Sequence, residues 1–241
     1  MAKMKVEVNL PILNEESILA KSVGTLRKFL RKNMPEYDCR IVIVDNGSDD
    51  RTNEICKQLK KKYSDVDFIR IEKRGRGRAL KTAWKKSKAD ICSYMDIDLS
   101  TGLKAYPKMI DALAKKGYDI ATGSRFMKGS RVKRGFKREV LSRGYVTLLK
   151  IILGIRFNDA QCGFKAVNRK VIKNIMPRCK DNNWFFDTEL MTLCQYKGYR
   201  IKEIPVKWTE DTDSRVKIFK TVKEYLRDSA KLRIRILRNK I

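Results

Sequence analysis

A chain of 241 residues with 42% apolar side chains is long enough to bury one large core, and its 56 basic against 28 acidic residues leave a net charge of +28. That excess calls for an anionic partner: substrate phosphates, acidic lipid headgroups or nucleic acid. There is no histidine, which removes a histidine general base, a histidine-bearing zinc site and any Ser-His triad.

Residues 6–16 read as a short strand stopped by Pro11, with Asn14 as the N-cap of a helix whose first turn carries Glu15 and Glu16. Residues 41–50 repeat the design, with a continuous apolar strand, a tight Asn46-Gly47 turn and a polar start to the next helix. Residues 68–71 supply a third strand, a Lys/Arg-rich segment through Trp84 a third crossover helix, and residues 91–95 a fourth strand. This alternation predicts an α/β fold with a parallel sheet and helices on both faces. Ligands of such sheets bind at the carboxyl ends of the strands, where Leu13, Asp45 and Asp96 would gather.

The fourth strand runs into Asp96-Ile97-Asp98. Two carboxylates at i and i+2 share a face of a strand, and the following turn can bend both toward one ion. Oxygen ligands on a loop suit Mg²⁺ or Mn²⁺, which leave their remaining positions to water and phosphate; a solvated strand end accounts for the pair equally well when it is taken alone. Cys39, Cys56, Cys92, Cys162, Cys179 and Cys194 are far apart and form no Cys-x-x-Cys, the pattern of reduced structural thiols and so of a cytosolic active site.

Further segments stand in a telling order: Pro11-Ile12-Leu13-Asn14-Glu15-Glu16, Val44-Asp45-Asn46-Gly47-Ser48-Asp49-Asp50, Met95-Asp96-Ile97-Asp98-Leu99, Gly123-Ser124-Arg125, Asp159-Ala160-Gln161-Cys162-Gly163-Phe164-Lys165 and Trp184-Phe185-Phe186-Asp187-Thr188-Glu189-Leu190. Together, across residues 6 to about 215, they resemble the motifs of family 2 glycosyltransferases of the GT-A fold, and within that family the dolichyl-phosphate hexose synthases. The resemblance implies a mostly parallel central sheet flanked by helices, and an inverting transfer of a hexose from a nucleotide sugar to a polyprenyl or dolichyl phosphate. It further implies that Pro11, Leu13 and Glu15 line the nucleotide pocket, that Val44 and Asp45 reach the base or ribose, and that Asp96 and Asp98 hold a metal bridging the donor diphosphate, with Ile97 and Ser100 beside them.

By the same resemblance, Arg125 contacts the reacting phosphates and Arg138 or Arg143 holds the acceptor phosphate, which makes Asp98, Arg125 and Arg138 the expected catalytic set. Arg215 resembles a position in a loop that closes over the donor, where a guanidinium could grip a phosphate in two-point fashion. Asp159, Gln161, Asp187 and Glu189 are placed near the acceptor, although an acid beside Lys165 fits a structural ion pair as well. Phe164, Trp184, Phe185 and Phe186 read as core or pocket wall. The Gln161-Cys162-Gly163-Phe164-Lys165 form resembles the glucosyl branch and points to UDP-glucose, with GDP-mannose as the alternative donor. Ser100 and Thr209 depart from the mannosyl pattern, which has Gln and Arg there. A lipid monophosphate, with its second pKa of about 6, is already a nucleophile at neutral pH, so the protein needs cations to hold it rather than a strong base.

No run of about 18 apolar residues is present, so no transmembrane helix is expected, and residues 1–10 lack the hydrophobic core of a signal peptide. A lipid would be met at the cytoplasmic membrane surface, by peripheral association. Residues 145–154 are short and apolar between basic residues, and the resemblance sets them beside the acceptor as an interfacial helix. Residues 216–241 form a basic amphipathic C-terminal helix beyond a catalytic domain of residues 1–215. Ile218, Phe219, Val222, Tyr225, Leu226, Leu232, Ile236 and Leu237 would lie on an anionic membrane surface or pack on the domain; the breadth of the stripe favours the membrane. The rival reading is a nucleic-acid-binding protein, suggested by the charge and by Lys73-Arg74-Gly75-Arg76-Gly77-Arg78. Against it, no zinc finger, helix-turn-helix or RNA-binding sheet motif is found and aromatics do not interleave with the basic runs, so no specific nucleic-acid partner is expected.

Overall fold

The computed structural model describes residues 2–209 and 218–241. Strand β1 (Lys5–Ile12) leads to helix α1 (Leu19–Asn33), β2 (Asp38–Asp45) to α2 (Thr52–Lys62), and β3 (Val66–Arg70) to α3 (Arg76–Lys86). Next come β4 (Ile91–Met95), α4 (Tyr106–Ala114), β5 (Ile120–Ser124), β6 (Arg131–Lys133), α5 (Phe136–Leu153), β7 (Phe164–Asn168) and α6 (Arg169–Asn174). The chain closes with α7 (Phe186–Tyr196), β8 (Ile201–Pro205), β9 (Lys207–Thr209) and α8 (Ile218–Leu237).

The main sheet runs β3-β2-β1-β4-β7-β5-β8. All its ladders are parallel except those of β7, which is antiparallel to both β4 and β5. Short β6 and β9 pair in parallel as a second sheet. One face of the main sheet packs under α1 and α4 through Leu19, Val23, Leu26, Met109 and Ile110. The other packs under α3, α5, α7 and α8 through Trp84, Leu149, Leu190, Leu232 and Ile236. Burial on both faces explains why residues 41–44 read as an unbroken apolar run and residues 91–95 as a run broken only by Ser93.

Three local expectations are corrected. Strand β1 does not stop at Pro11: its ladder to β4 ends at the Asn9–Tyr94 pair, so beyond that point it pairs with β2 alone, the edge setting in which strands tolerate proline. Asn14 does not cap α1. It adopts φ 55°, its amide donates to Ser48 Oγ at 2.9 Å and its Oδ1 accepts from the Asp49 amide at 3.0 Å, so it clasps the β2 loop while the helix waits until Leu19.

The third correction concerns the tail, whose apolar stripe is used inside the protein. Leu232 and Ile236 are buried, the Tyr225 ring lies 5.3 Å from that of Tyr145, and the Arg235 guanidinium meets Glu189 Oε1 at 2.5 Å. Packing against α5 and α7 takes Leu232 and Ile236, and Tyr225 in part, out of water without a membrane, while Leu237 stays exposed; the side chains of Ile218, Phe219 and Val222 lie outside those described. Arg235→Met leaves the buried Glu189 carboxylate without its cation and is expected to lower unfolding free energy by about 3 kcal/mol, with Glu189→Gln in the same chain restoring most of it; urea denaturation reads both.

Candidate active site

The carboxyl ends of β1, β2 and β4 lie side by side, with Ile12 paired to Asp45 across the β1–β2 ladder. Pro11, Leu13 and Glu15 are half-buried along this edge. The expectation for Val44 and Asp45 needs correcting, because neither has a side chain to offer a nucleotide. Val44 is wholly in the core, and the fully buried Asp45 accepts from the Ser48 amide at 2.9 Å and from the Arg70 guanidinium at 2.7 Å. Asp45 and Arg70 therefore brace the loop after β2. Arg74 extends the brace, donating to Asp49 at 2.9 Å, and Asn46 Oδ1 accepts from the Gly75 amide at 2.8 Å.

At the end of β4 the side chains part as strand alternation requires: Ile97 turns into the core, while Asp96 is half-buried and Asp98 exposed. Leu99 takes φ 52° to make the turn, and Asp98 Oδ1 accepts from the Ser100 amide at 2.9 Å. Asp96 is seated by a glycine. A Cβ at Gly163 would stand 1.9 Å from Asp96 Oδ2, and the Asp96 amide donates to the Gly163 carbonyl at 3.2 Å. Only a residue without a side chain lets β7 approach the carboxylate this closely. Gly163→Ala should push Asp96 aside and reduce the activity of the site about a hundredfold with the fold retained, as checked by activity beside circular dichroism.

These residues fit a hard divalent cation. Two carboxylates flank one turn, no cluster of three or more His, Cys, Asp or Glu is present among the described residues, and Mg²⁺ or Mn²⁺ needs only one or two protein carboxylates when phosphate and water complete its shell. The two departures from the mannosyl pattern are neighbours in space, since the Thr209 amide donates to the Ser100 carbonyl at 3.1 Å and Thr101 bridges to Trp208.

Beside Asp96 opens a cavity of about 210 Å³. Its polar wall is formed by Arg76, Asp96, Arg125, Asp159, Gln161 and Asp187, and its apolar wall by Phe126, Leu141, Tyr145, Val146, Trp184, Trp208 and Tyr225. Asp159 is the fixed point. It takes the Arg125 Nε at 2.7 Å, the Arg125 Nη2 at 2.9 Å and the Arg125 amide at 3.0 Å, which aims the guanidinium along the cavity beneath the Trp208 ring, 5.6 Å away. Burial would by itself raise the Asp159 pKa, but the Arg125 charge and these hydrogen bonds outweigh it and hold the carboxyl below the usual range. Burial likewise opposes the Arg125 charge and is overcome by Asp159, so the pair stays ionised.

Asp187 sits at the back. It accepts from Tyr94 Oη and lies 3.4 Å from the buried Lys165 ammonium, which also donates to the Cys162 carbonyl at 2.6 Å. The structural ion pair expected beside Lys165 is thus made with Asp187, while Asp159 belongs to Arg125. Glu189 is corrected: two residues past Asp187 and so on another side of α7, it is spent on Arg235 and on the Asp181 amide and does not line the cavity. Arg143 is paired with Glu139 at 2.6 Å, its charge 5.4 Å from the Phe126 ring at the rim. The Arg138 side chain and the whole of Arg215 lie outside what is described.

Sequence reasoning set residues 145–154, and so Tyr145, beside the acceptor, but it passed over Arg76 and Trp208 as site residues and gave Tyr225 only to the stripe of the tail; all four line the cavity. Arg76 lay in plain view within Arg74-Gly75-Arg76-Gly77-Arg78, where the glycines signal close backbone approach. Tyr225 carried no signal for the cavity, because only the return of α8 brings it in.

A family model for glycosyl transferase family 2 matches residues 8–176. Glycosyltransferase AglD of Haloferax volcanii is 32% identical over 222 residues, covering 92% of this chain, which spans only 36% of that relative. A dolichyl-phosphate beta-glucosyltransferase of Saccharomyces cerevisiae is also 32% identical, covering 88% of this chain and 69% of the relative. Among solved structures, glucosyl-3-phosphoglycerate synthase from Mycobacterium tuberculosis in complex with Mn²⁺, uridine diphosphate and glucosyl-3-phosphoglycerate aligns with a TM-score of 0.68 at 15% identity, over 95% of this chain and 80% of that one. Mannosyl-3-phosphoglycerate synthase from Rubrobacter xylanophilus aligns with a TM-score of 0.69, also at 15% identity, over 96% and 74%. With strand ends, paired aspartates and cavity in the order the motifs predict, and a family model covering most of its length, the chain belongs to glycosyl transferase family 2.

Proposed function

We propose that this protein transfers a hexose, glucose from UDP-glucose in the first instance, to a polyprenyl (dolichyl) phosphate. The observation that carries the reading is the two-sided cavity. Asp96 and the Arg125–Asp159 pair stand on one wall, and aromatic and aliphatic side chains form the other, as an acceptor with a phosphate head and an apolar chain requires. The dolichyl-phosphate glucosyltransferase relatives support the acceptor and the donor sugar. The solved Mn²⁺ and UDP complexes of the fold support a divalent cation and a uridine donor.

In this reading the acceptor phosphate oxygen attacks the anomeric carbon opposite the nucleoside diphosphate; the bond to the diphosphate breaks as the new carbon–oxygen bond forms, and the configuration inverts. Asp96 and Asp98 would hold Mg²⁺ or Mn²⁺, which supplies charge neutralisation for the leaving diphosphate. Arg125, aimed by Asp159, meets the reacting phosphates as a preorganised cation. Tyr145, Trp184, Trp208 and Tyr225 exclude water and receive the first apolar carbons of the lipid. Val140, Leu148 and Ile151 are exposed on α5 next to the cavity residues Leu141 and Val146, and support docking at the cytoplasmic membrane surface. No helix among the described residues is long and apolar enough to cross a membrane.

The test is transfer of radiolabelled hexose from UDP-glucose and, separately, GDP-mannose to dolichyl phosphate in detergent with Mn²⁺ or Mg²⁺. A labelled lipid from UDP-glucose, lost on chelation, is expected. Product from GDP-mannose alone would reassign the donor, and donor binding without product would move the search to another acceptor.

A further inference from the structure

Arg76 is the one member of the Lys73–Arg78 cluster whose side chain enters the cavity. Two glycines put it there. Gly75 has φ +151°, and a Cβ on it would meet the Asn182 carbonyl at 2.5 Å; a Cβ on Gly77 would meet Phe186 Cβ at 2.6 Å. The first turn of α3 therefore lies flat on residues 182–186, with the Gly77 and Arg78 amides donating to the Asn183 and Asn182 carbonyls.

From that turn the Arg76 guanidinium, 12% exposed, donates to Asp96 Oδ1 at 2.5 Å and stacks 4.8 Å from the Trp184 ring and 5.2 Å from that of Tyr94. Its Nε makes no hydrogen bond and lies 3.9 Å from Asp187 Oδ2. One of the two carboxylates assigned above to a divalent cation thus already has a cation on it, in a setting that water screens poorly.

We propose that Arg76 is the resident counter-ion of Asp96 and makes binding of a divalent cation there conditional on a nucleoside diphosphate arriving with it. This inference rests on the metal assignment made for Asp96 and Asp98. A divalent ion brought to Asp96 alone must compete with the guanidinium for one carboxylate oxygen and then sit beside a like charge. A diphosphate supplies the negative charge both cations need, so ion and nucleotide each raise the affinity of the other by the same factor. Arg76 is then a positioning residue that guards against a metal ion seated without substrate.

The experiment is titration of Mn²⁺ into the full chain, read as free Mn²⁺ by electron paramagnetic resonance, with and without saturating UDP. Wild type should gain about tenfold or more in Mn²⁺ affinity from UDP. Arg76→Met should bind Mn²⁺ alone about tenfold more tightly than wild type and lose most of the gain from UDP. Arg76→Lys, which keeps the charge, should keep the gain. Should Arg76→Met fail to fold, Arg76→Gln, which keeps a donor toward Asp96 without the charge, takes its place. An undiminished gain in the neutral variant overturns the proposal, and so does a Lys variant that loses the gain as fully as Met, since the role would then be one of shape. Absence of Mn²⁺ binding to wild type even with UDP would overturn the metal assignment itself.

Discussion

Asp98→Asn is expected to lower hexosyl transfer about a thousandfold, while the urea midpoint stays within experimental error of wild type. The side chain is exposed at the end of β4, where a change that keeps its size and shape costs little, and the hydrogen bond it accepts from the Ser100 amide is one that an amide oxygen also accepts. Transfer loses one of the two carboxylates proposed for the divalent cation, and neutralising charge on a departing diphosphate supplies several kcal/mol of transition-state stabilisation. Because the diphosphate leaves with that charge in the transition state, the fall belongs in kcat as well as KM. Initial rates with UDP-glucose and dolichyl phosphate across Mn²⁺ concentrations check it; a variant within tenfold of wild type would remove Asp98 from the site.

Asp159→Asn is expected to damage both folding and transfer. The carboxylate is 1% exposed and accepts three hydrogen bonds from Arg125, so its loss leaves a nearly buried guanidinium uncompensated, at about 3 kcal/mol of stability. Arg125 also loses its aim, and transfer should fall about a hundredfold. Replacing both partners, as Arg125→Leu with Asp159→Leu, should recover most of the stability and none of the transfer, because an apolar pair fills the space but presents no cation to a phosphate. The sign of the pH effect follows from the depressed Asp159 pKa. A carboxyl lowered on folding contributes stability above its unfolded pKa and loses it as pH falls through the lower, folded value. Wild type should therefore keep the contribution at neutral and mildly acidic pH and lose it only below the ordinary carboxylate range, whereas Asp159→Asn lacks it throughout. Thermal unfolding of the two proteins from pH 7 downward should show curves that converge in acid.

The strands that lead to Asp45 and Asp96 were legible because their runs are largely apolar and end in polar turns, a pattern set by burial on both faces of the sheet, and the strand that leads to Leu13 was legible from its β-branched Val6, Val8 and Ile12. The shared face of the two aspartates proposed for the metal was legible for a related reason: period-two alternation sends Ile97 inward and leaves Asp96 and Asp98 on the polar side. Helix starts were read less well. Asn14 has the chemistry of a cap, but Ser48 and Asp49, more than thirty residues on, compete for it and win.

Roles were misread wherever a polar side chain has a distant partner. Asp45 and Glu189 each look like ligands in a motif, and the fold commits them to Arg70 and Arg235. For the amphipathic tail the sequence left two readings, because a stripe facing a membrane and a stripe facing a protein have the same composition; contacts with Tyr145, Phe185 and Glu189 commit Tyr225 and Arg235 to the protein side.

By itself, then, the sequence determined the α/β class, the family, and the two aspartates at the end of β4, since these depend on local periodicity and on the short-range chemistry of turns. Only the tertiary structure decided which charges remain available to a ligand and which are spent on one another. It set Arg125 on Asp159 and Arg76 on Asp96, pressed Gly163 against a carboxylate, and brought Tyr225 across as a cavity wall. Ion pairs and close approaches form between segments far apart in the chain, and no local pattern of residues encodes which partner a buried charge will meet.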